Sequence, residues 1–496
     1  MDNIKTLVVG GGFGGIAAAL RCKAMGHNVT IIDKLSKLGG RAQVIERNGY
    51  KYDTGPTVIT APFLFEELFN LFNEKLSDHL EFKPLDPWYR FHFHDSTTFD
   101  YSSTIEETKK EISKFSLEDA ESYDNLLKES EKIFDIGFTK LSDQPFTSFW
   151  TMIKQIPYLL KLKSYESVSK MVSRHIKNKN IRSAFSIHPL LVGGNPYTTT
   201  SIYSLIHFLE RKWGVFFCMG GTGKLVEELT NLMRRNDINI ETNKNLKSVE
   251  HKDSVAYKAI TDCGKEYKFD NLVFNGDPPV FYKEILKPAS RNFLNPIFPA
   301  KSLSYSMGLF VLFFGTKTRY EEIAHHTIWL TERFKDLLHD IFEKRIITKD
   351  FSLYLHRPTA TDKSFAPDGH DSFYVLCPVP NLKNNIDWSV HGEKLKEQII
   401  TELEKTIMPN LRNHIEDISY MTPKDFENNY RSMYGAGFSI APKFTQSAWF
   451  RYHNEDDNIP NIFFSAAGSH PGAGLPGVLS SAKVVENILK KRYGVK

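Results

Sequence analysis

Glycines at fixed spacing and one acid supply the first chemistry legible in this 496-residue chain. Gly10-Gly11-Gly12-Phe13-Gly14-Gly15 satisfies the pattern G-x-G-x-x-G directly after the β-branched run Leu7-Val8-Val9. Ile16 to Met25 then reads as a helix stopped by Gly26, and Val29 to Ile32 as a strand closed by Asp33. Such a strand–turn–helix–strand unit binds a dinucleotide, because each position has a mechanical task. Gly10 permits the tight turn, Gly12 lets backbone approach a pyrophosphate, and Gly15 allows close helix–strand packing. The helix start around Phe13 and Gly14 offers free N–H groups to phosphates. Asp33 can accept from both ribose hydroxyls, and its charge disfavours a 2′-phosphate.

Further glycine turns are spread over the rest of the chain. Leu38-Gly39-Gly40-Arg41 and Tyr52-Asp53-Thr54-Gly55-Pro56-Thr57 follow the first unit. Ile238–Glu241 and Leu246–Glu250 read as strands, and Asn271–Phe274 as another that runs into Asn275-Gly276-Asp277-Pro278. Near the C-terminus the apolar run Ile462–Ser465 leads into Ala466-Ala467-Gly468-Ser469-His470-Pro471-Gly472-Ala473-Gly474-Leu475-Pro476-Gly477-Val478. Leu479 to Lys491 then reads as a helix, with Pro476 suited to its first turn. Glycines let that backbone lie flat against a planar ring. A helix N-terminus aimed at the ring stabilises negative charge on it.

Composition narrows the class. The length requires more than one domain. Hydrophobic residues at 41% and charged residues at 25% are ordinary for a globular protein. A net charge of +4 is far from the footprint of a nucleic-acid binder, so no such partner is expected. Cys22, Cys218, Cys263 and Cys377 lie far apart, which gives no metal or disulfide pattern and suits a reducing cytoplasm. The longest apolar run, Gly308 to Gly315, is far short of the roughly 20 residues a spanning helix needs. Tyr305 to Phe314 reads as an aromatic-rich strand that could line a tunnel, and residues near 111 to 215 read mainly as helices. Thr151 to Arg182 carries eight Lys and Arg side chains against Glu166, interleaved with apolar residues. Such a segment can lie on an anionic membrane.

The G-G-R and D-x-G-P segments, in register with the first unit, resemble those of the flavoproteins that include amine oxidases and carotenoid desaturases. That resemblance implies FAD, with Arg41 near the pyrophosphate, Gly55-Pro56-Thr57 beside the flavin and Val249 contacting adenine through its backbone. Asn275-Gly276-Asp277 is similar to the group's N-A-D turn, with Gly276 standing where Ala is usual. The run from Ala467 to Gly477 resembles the C-terminal signature of bacterial-type phytoene desaturases. His188 to Pro196, Trp213-Gly214-Val215, Met219 to Gly223, and Asp350 to Asp362 agree with it, so the resemblance spans residues 7 to 485.

The expected architecture is α/β. A Rossmann-like FAD-binding domain is assembled from residues 1–75, 220–295 and 455–496. A mixed α+β substrate domain takes 76–110, 206–219 and 296–454, and a helical, membrane-facing subdomain takes 111–205. The resemblance implies dehydrogenation of phytoene, a C40 isoprenoid, by hydride transfer to flavin. Oxygen or a quinone is the expected electron acceptor, and the expected location is cytoplasmic and peripheral to the membrane. The expected cofactor residues are Gly10, Gly12, Phe13, Gly14, Gly15, Asp33, Gly40, Arg41, Gly55, Pro56, Thr57, Val249, Asp277, Gly468, Pro476, Gly477 and Val478. No catalytic base emerges. The family's Arg-Asp pair is replaced by Ser148-Phe149-Trp150-Thr151-Met152, and His188, His325, His326 and His470 are candidates by type alone. A C30 or later-pathway desaturase, an amine oxidase and a non-catalytic prenyl-binding chaperone remain open.

Overall fold

The computed structural model describes residues 4–139, 142–145, 157–158, 160–286 and 303–494. Its first sheet is built from segments hundreds of residues apart. Strand Lys5–Val9 lies centrally, with Asn28–Ile32 and Asn239–Glu241 on one side and Asn271–Phe274 and Ile462–Phe464 on the other. All five pair in parallel. Parallel strands are buried on both faces, which is why Leu7-Val8-Val9 reads as a continuous apolar run rather than an alternation.

Helices Phe13–Ala24 and Leu475–Tyr493 pack together against this sheet. Both begin earlier than the sequence suggests, inside their glycine motifs, with Pro476 in the first turn of the second. Arg21 fixes their contact, donating to Glu486 at 2.6 Å and to Glu67 at 2.8 Å. Gly15 decides how closely the first helix approaches its strand. A Cβ there would stand 1.9 Å from the Gly10 carbonyl oxygen.

A second sheet of seven strands runs in the order Ile415–Met421, Gly308–Thr316, Asp371–Val379, Leu353–His356, His326–Leu330, Tyr89–Phe93, Thr98–Tyr101. It is antiparallel except where His326–Leu330 meets Tyr89–Phe93. Gly308–Thr316 is wholly buried, and its side chains alternate between two faces. Phe310, Leu312 and Phe314 enter the cluster that includes helix Trp388–Thr406. Leu309, Val311 and Phe313 face the opposite cluster. The tunnel expectation for Tyr305–Phe314 therefore needs correction, since none of its aromatic side chains lines the cavity described below, to which this stretch contributes Met307 and Leu309.

Helices Leu117–Gly137, Val168–His175, Lys179–Ser186 and Leu205–Trp213 close over that opposite face. The first three start at side-chain caps. Ser116 accepts from Asp119 N, Ser167 from Lys170 N, and Asn178 from Asn180 N and Ile181 N. In the basic stretch, Val168, Met171, Val172 and Ile176 are core residues. Arg174 is held by Glu129 and Glu166. Ser148 to Met152 lies outside the described residues.

Gly15→Ala is expected to abolish soluble expression or to cost about 3 kcal/mol, because the clash is with backbone that cannot step aside. A thermal melt against Gly264→Ala, whose Cβ meets nothing but whose φ is +82°, sets the crowding at Gly15 against the strain of a left-handed backbone alone.

Candidate functional site

The two ends of the chain meet at one side chain. Asn275, at the end of strand Asn271–Phe274, accepts from Gly12 N at 3.1 Å and donates to the Ser465 carbonyl. Ser465 in turn donates to the Gly14 carbonyl at 2.9 Å. The glycine loop, the N-G-D-P turn and the C-terminal glycine loop thus share one mouth, which opens a cavity of about 500 Å³.

Every expected cofactor residue lines this cavity except Gly15 and Val249. Gly15 acts by packing, as its spacing requires. Val249 is a correction: it is fully buried, paired in a strand with Ala259 and bridged to Leu286. Lys244, Asn245 and Leu246 form the wall at that end instead, with Arg431 across from them. Arg431 donates to the Leu246 carbonyl at 2.7 Å.

The turn around Arg41 is pressed onto the first loop. Gly39 N donates to the Gly11 carbonyl at 2.7 Å, and a Cβ on Gly40 would lie 3.4 Å from Gly12 Cα. Gly39 has φ +116° and Gly40 φ +55°, conformations that glycine adopts freely. This turn carries Arg41 into the interior, where one guanidinium nitrogen donates to Ser432 Oγ at 2.5 Å and Nε has no partner. Burial pulls the Arg41 pKa down, and Asp277 nearby partly restores it. A half-buried guanidinium whose Nε lacks a partner, facing a glycine cradle, fits an anionic group such as a pyrophosphate. The cradle itself excludes side chains: a Cβ on Gly12 would stand 2.8 Å from Asn275 Oδ1, and on Gly14 2.6 Å from the Ser465 carbonyl.

Asp33 accepts from Gly11 N at 2.6 Å and from Leu35 N at 2.7 Å. Burial raises its pKa, and these two N–H groups oppose the rise. Asp277, expected at the cofactor, lines the cavity but also accepts from Met433 N at 2.9 Å and from Ser439. Its carboxylate anchors the segment that carries Phe438 and Ser439 to the wall.

Two residues that sequence reading passed over hold the C-terminal loop. Arg451, 2% exposed, donates to the carbonyls of Ala467 at 2.6 Å and Ser469 at 3.1 Å. Asn454 Nδ2 lies 3.0 Å from the Phe464 carbonyl and 2.8 Å from that of His470. No pattern of spacing marks either residue. Gly472 at φ +142° and Gly474 at φ +92° turn the loop into helix Leu475–Tyr493, whose N-terminus borders the cavity.

Beyond the loop the cavity turns apolar, lined by Leu190, Leu209, Leu309, Leu338, Ile341 and Phe438 among others. Helix Leu205–Trp213 is locked there by Glu210, which accepts from Tyr89 OH at 2.7 Å and lies 3.0 Å from His188 Nε2. Arg211 stacks 4.4 Å from the ring centroids of both Trp88 and Tyr101. None of the described lining residues is a histidine. His188 serves that buried pair, and His325 and His326 lie behind the wall.

Known proteins resemble this chain over nearly its whole length. The family described as flavin containing amine oxidoreductase matches residues 13–485. A lycopene-forming phytoene desaturase of Pseudescherichia vulneris is 41% identical over 488 residues, 98% of this chain and 99% of that one. The chain belongs to the phytoene desaturases. A neurosporene-forming phytoene desaturase of Cereibacter sphaeroides is 36% identical over 98% of this chain and 95% of its own. Cyclohexylamine oxidase from Brevibacterium oxydans shares the fold at TM-score 0.61 with 14% identity, each chain covered to 99%. As in this family, the cofactor of the desaturase is FAD.

An Asp33 carboxylate that holds the FAD ribose would make FAD binding pH-dependent. In this desaturase its raised folded-state pKa means that ionisation costs the ligand-free fold stability as pH rises through that value. The ionised form is also the one that accepts ribose hydroxyls. FAD affinity should therefore weaken on acidification from above the ordinary value of 3.8, and Asp33→Asn should flatten that dependence in a flavin-fluorescence titration. Arg41→Ala should weaken FAD about 10- to 100-fold, the effect of about 1.5–3 kcal/mol for a charge-assisted bond, while the apoprotein melts no lower.

Proposed function

We propose that this enzyme dehydrogenates phytoene, a C40 hydrocarbon, to lycopene or an intermediate on the way to it. One observation carries the reading. A single cavity joins a dinucleotide cradle to an apolar chamber, and the C-terminal glycine loop stands at their junction. FAD, when bound, would supply the acceptor for a hydride taken from an allylic carbon, and loss of a proton from the neighbouring carbon would complete the double bond. Gly10 to Gly14, Asp33, Gly40 and Arg41 hold its nucleotide portion in this proposal, and Gly55-Pro56-Thr57 with Gly468 and Pro476-Gly477-Val478 border its ring.

A hydrocarbon offers no hydrogen-bonding group, so only shape and burial can hold it. At about 25 cal/mol per Å² of apolar area, burial alone gives ample affinity. Leu309 from the sheet and Leu338 and Ile341 from the facing helical turns close the chamber and keep water away from the reacting carbons. The relative of lycopene-forming name at 41% identity supports the C40 substrate.

A substrate dissolved in lipid must enter from it. The exposed apolar side chains Tyr158, Leu160 and Tyr165, at 49%, 60% and 64%, sit beside exposed Lys161 and Lys163. We assign this patch to an anionic membrane surface, on the cytoplasmic side. Among the described residues no helix is long and apolar enough to cross a membrane. Oxygen or a quinone reoxidises the enzyme in this reading.

Phytoene-loaded liposomes with FAD and the purified chain should develop the red-shifted absorbance of a lengthened polyene. Colourless product with peroxide released from an amine would overturn the reading. Leu338→Trp, which fills the chamber, should cut turnover at least tenfold and leave the flavin content unchanged. Leu160→Asp with Tyr165→Asp should lower co-sedimentation with anionic vesicles about tenfold, consistent with losing the burial of two apolar groups.

A further inference from the structure

Behind the wall, three histidines converge from adjacent strands. His326 opens strand His326–Leu330 and pairs in register with His356, the last residue of Leu353–His356. His325 precedes it. Their ring centroids lie 4.7 Å (His325–His326), 4.9 Å (His325–His356) and 5.4 Å (His326–His356) apart. One ring nitrogen from each can be chosen so that all three lie within 4.8 Å of one another. Exposure is 5%, 0% and 0%.

The polar atoms here are not accounted for by protein partners. Nε2 of His325, Nε2 of His326 and both ring nitrogens of His356 have no hydrogen bond. Asp53 Oδ2, 1% exposed, has none either, and stands 3.8 Å from His356 Nε2. Leaving even one such group unsatisfied costs about 1–3 kcal/mol, so a cluster of them signals a missing partner. At two of the three rings the outward nitrogen is already engaged. His325 Nδ1 lies 2.7 Å from Thr361 Oγ1, and His326 Nδ1 2.8 Å from Tyr354 OH. Asp53 Oδ1 accepts from Thr222 N and Oγ1 at 3.1 and 2.9 Å. A hydrogen bond on the far nitrogen, present at His325 and His326, is the arrangement that orients ligating histidines.

We propose that His325, His326 and His356 form a structural site for a divalent zinc-class ion, with Asp53 Oδ2, which stands beside His356, drawn in as fourth donor when the ion binds. Three imidazoles and a carboxylate suit a closed tetrahedral site with metal–nitrogen bonds of about 2.0–2.1 Å. Three rings on such an ion have centroids roughly 5 Å apart, the separation already present. Arg357, whose charge acts on His325, is offset by Asp371, 3.3 Å from its Nε. None of the three histidines borders the cavity, so the ion takes no part in the chemistry. It ties Asp53 to the second sheet. Asp53 begins the D-T-G-P turn, and Thr57 at the other end reaches the same cluster through Tyr354 OH at 2.6 Å. The ion therefore fixes the turn that borders the flavin.

The test uses the full chain without a histidine tag, purified with its FAD. Elemental analysis after dialysis against EDTA should find about one zinc-class ion per chain. His356→Ala should lower that at least tenfold, while His94→Ala, at an exposed position, should not. Should the His356 variant fail to fold, wild-type chain grown with cobalt in place of zinc should show the visible bands of tetrahedral Co(II), and X-ray absorption should find only nitrogen and oxygen neighbours at about 2.0–2.1 Å. Folded, yellow, active wild-type protein with less than about a tenth of an equivalent of metal overturns the site, as does metal retained in full by His356→Ala. In either case ordered water fills the cluster.

Discussion

A short side chain joins two glycine loops that lie more than four hundred residues apart in sequence. Asn275 spans Gly12 N and the Ser465 carbonyl with its two amide ends, so the cradle and the C-terminal loop can have only one relative placement. Both glycine loops need bare backbone, and bare backbone has little with which to fix itself. The bond from Ser465 Oγ to the Gly14 carbonyl and the Arg21–Glu486 pair extend the same join outward. The parallel sheet follows from this meeting, since strands Lys5–Val9 and Ile462–Phe464 must flank Asn271–Phe274 for it to occur.

Rigidity at the cradle contrasts with the chemistry of the chamber. The nucleotide end uses directed bonds, charge and glycine geometry. The chamber beyond uses volume alone, because its substrate has nothing to bond. Its walls therefore come from elements that are themselves pinned by buried polar pairs just outside the lining. Glu210 with Tyr89 and His188 fixes one helix, and Asp277 with Met433 N and Ser439 fixes the opposite segment. A polar frame holds an apolar room.

Much of this was legible because it depends on residue types that few other tasks require. Gly10, Gly12, Gly40, Gly55 and Gly477 announce close approach or positive φ, and Asp33 follows its strand at the spacing a ribose demands. Val249 was misplaced because a backbone contact leaves no mark on the side chain; the wall three residues earlier is written in ordinary residues, Lys244 to Leu246. Arg451 and Asn454 were invisible for a related reason. Their partners are backbone carbonyls, which exist everywhere, so no second residue in the sequence points back to them. The strand Gly308–Thr316 misled in another way, since a run buried on both faces carries no alternation to say which side meets the cavity.

The histidines mark the limit of reading by type. Singly, His325, His326 and His356 are unremarkable core residues, and thirty positions separate the last from the first two. Only strand pairing, His326 opposite His356, turns them into a cluster, and only the packing of the short strand Tyr50–Asp53 beside it brings Asp53 against it. Antiparallel register makes such convergence cheap in backbone terms, because directly opposite residues already have Cα atoms about 4.5–5.5 Å apart. What the register does not supply is a partner for the inward nitrogens. Hydrophobic packing cannot satisfy them, and the outward hydrogen bonds from Thr361 and Tyr354 leave them aimed at one another across a gap too wide for direct bonding. A group that accepts several lone pairs at once resolves that arrangement, and it does so at the hinge between the flavin-bordering turn and the sheet that walls the substrate chamber.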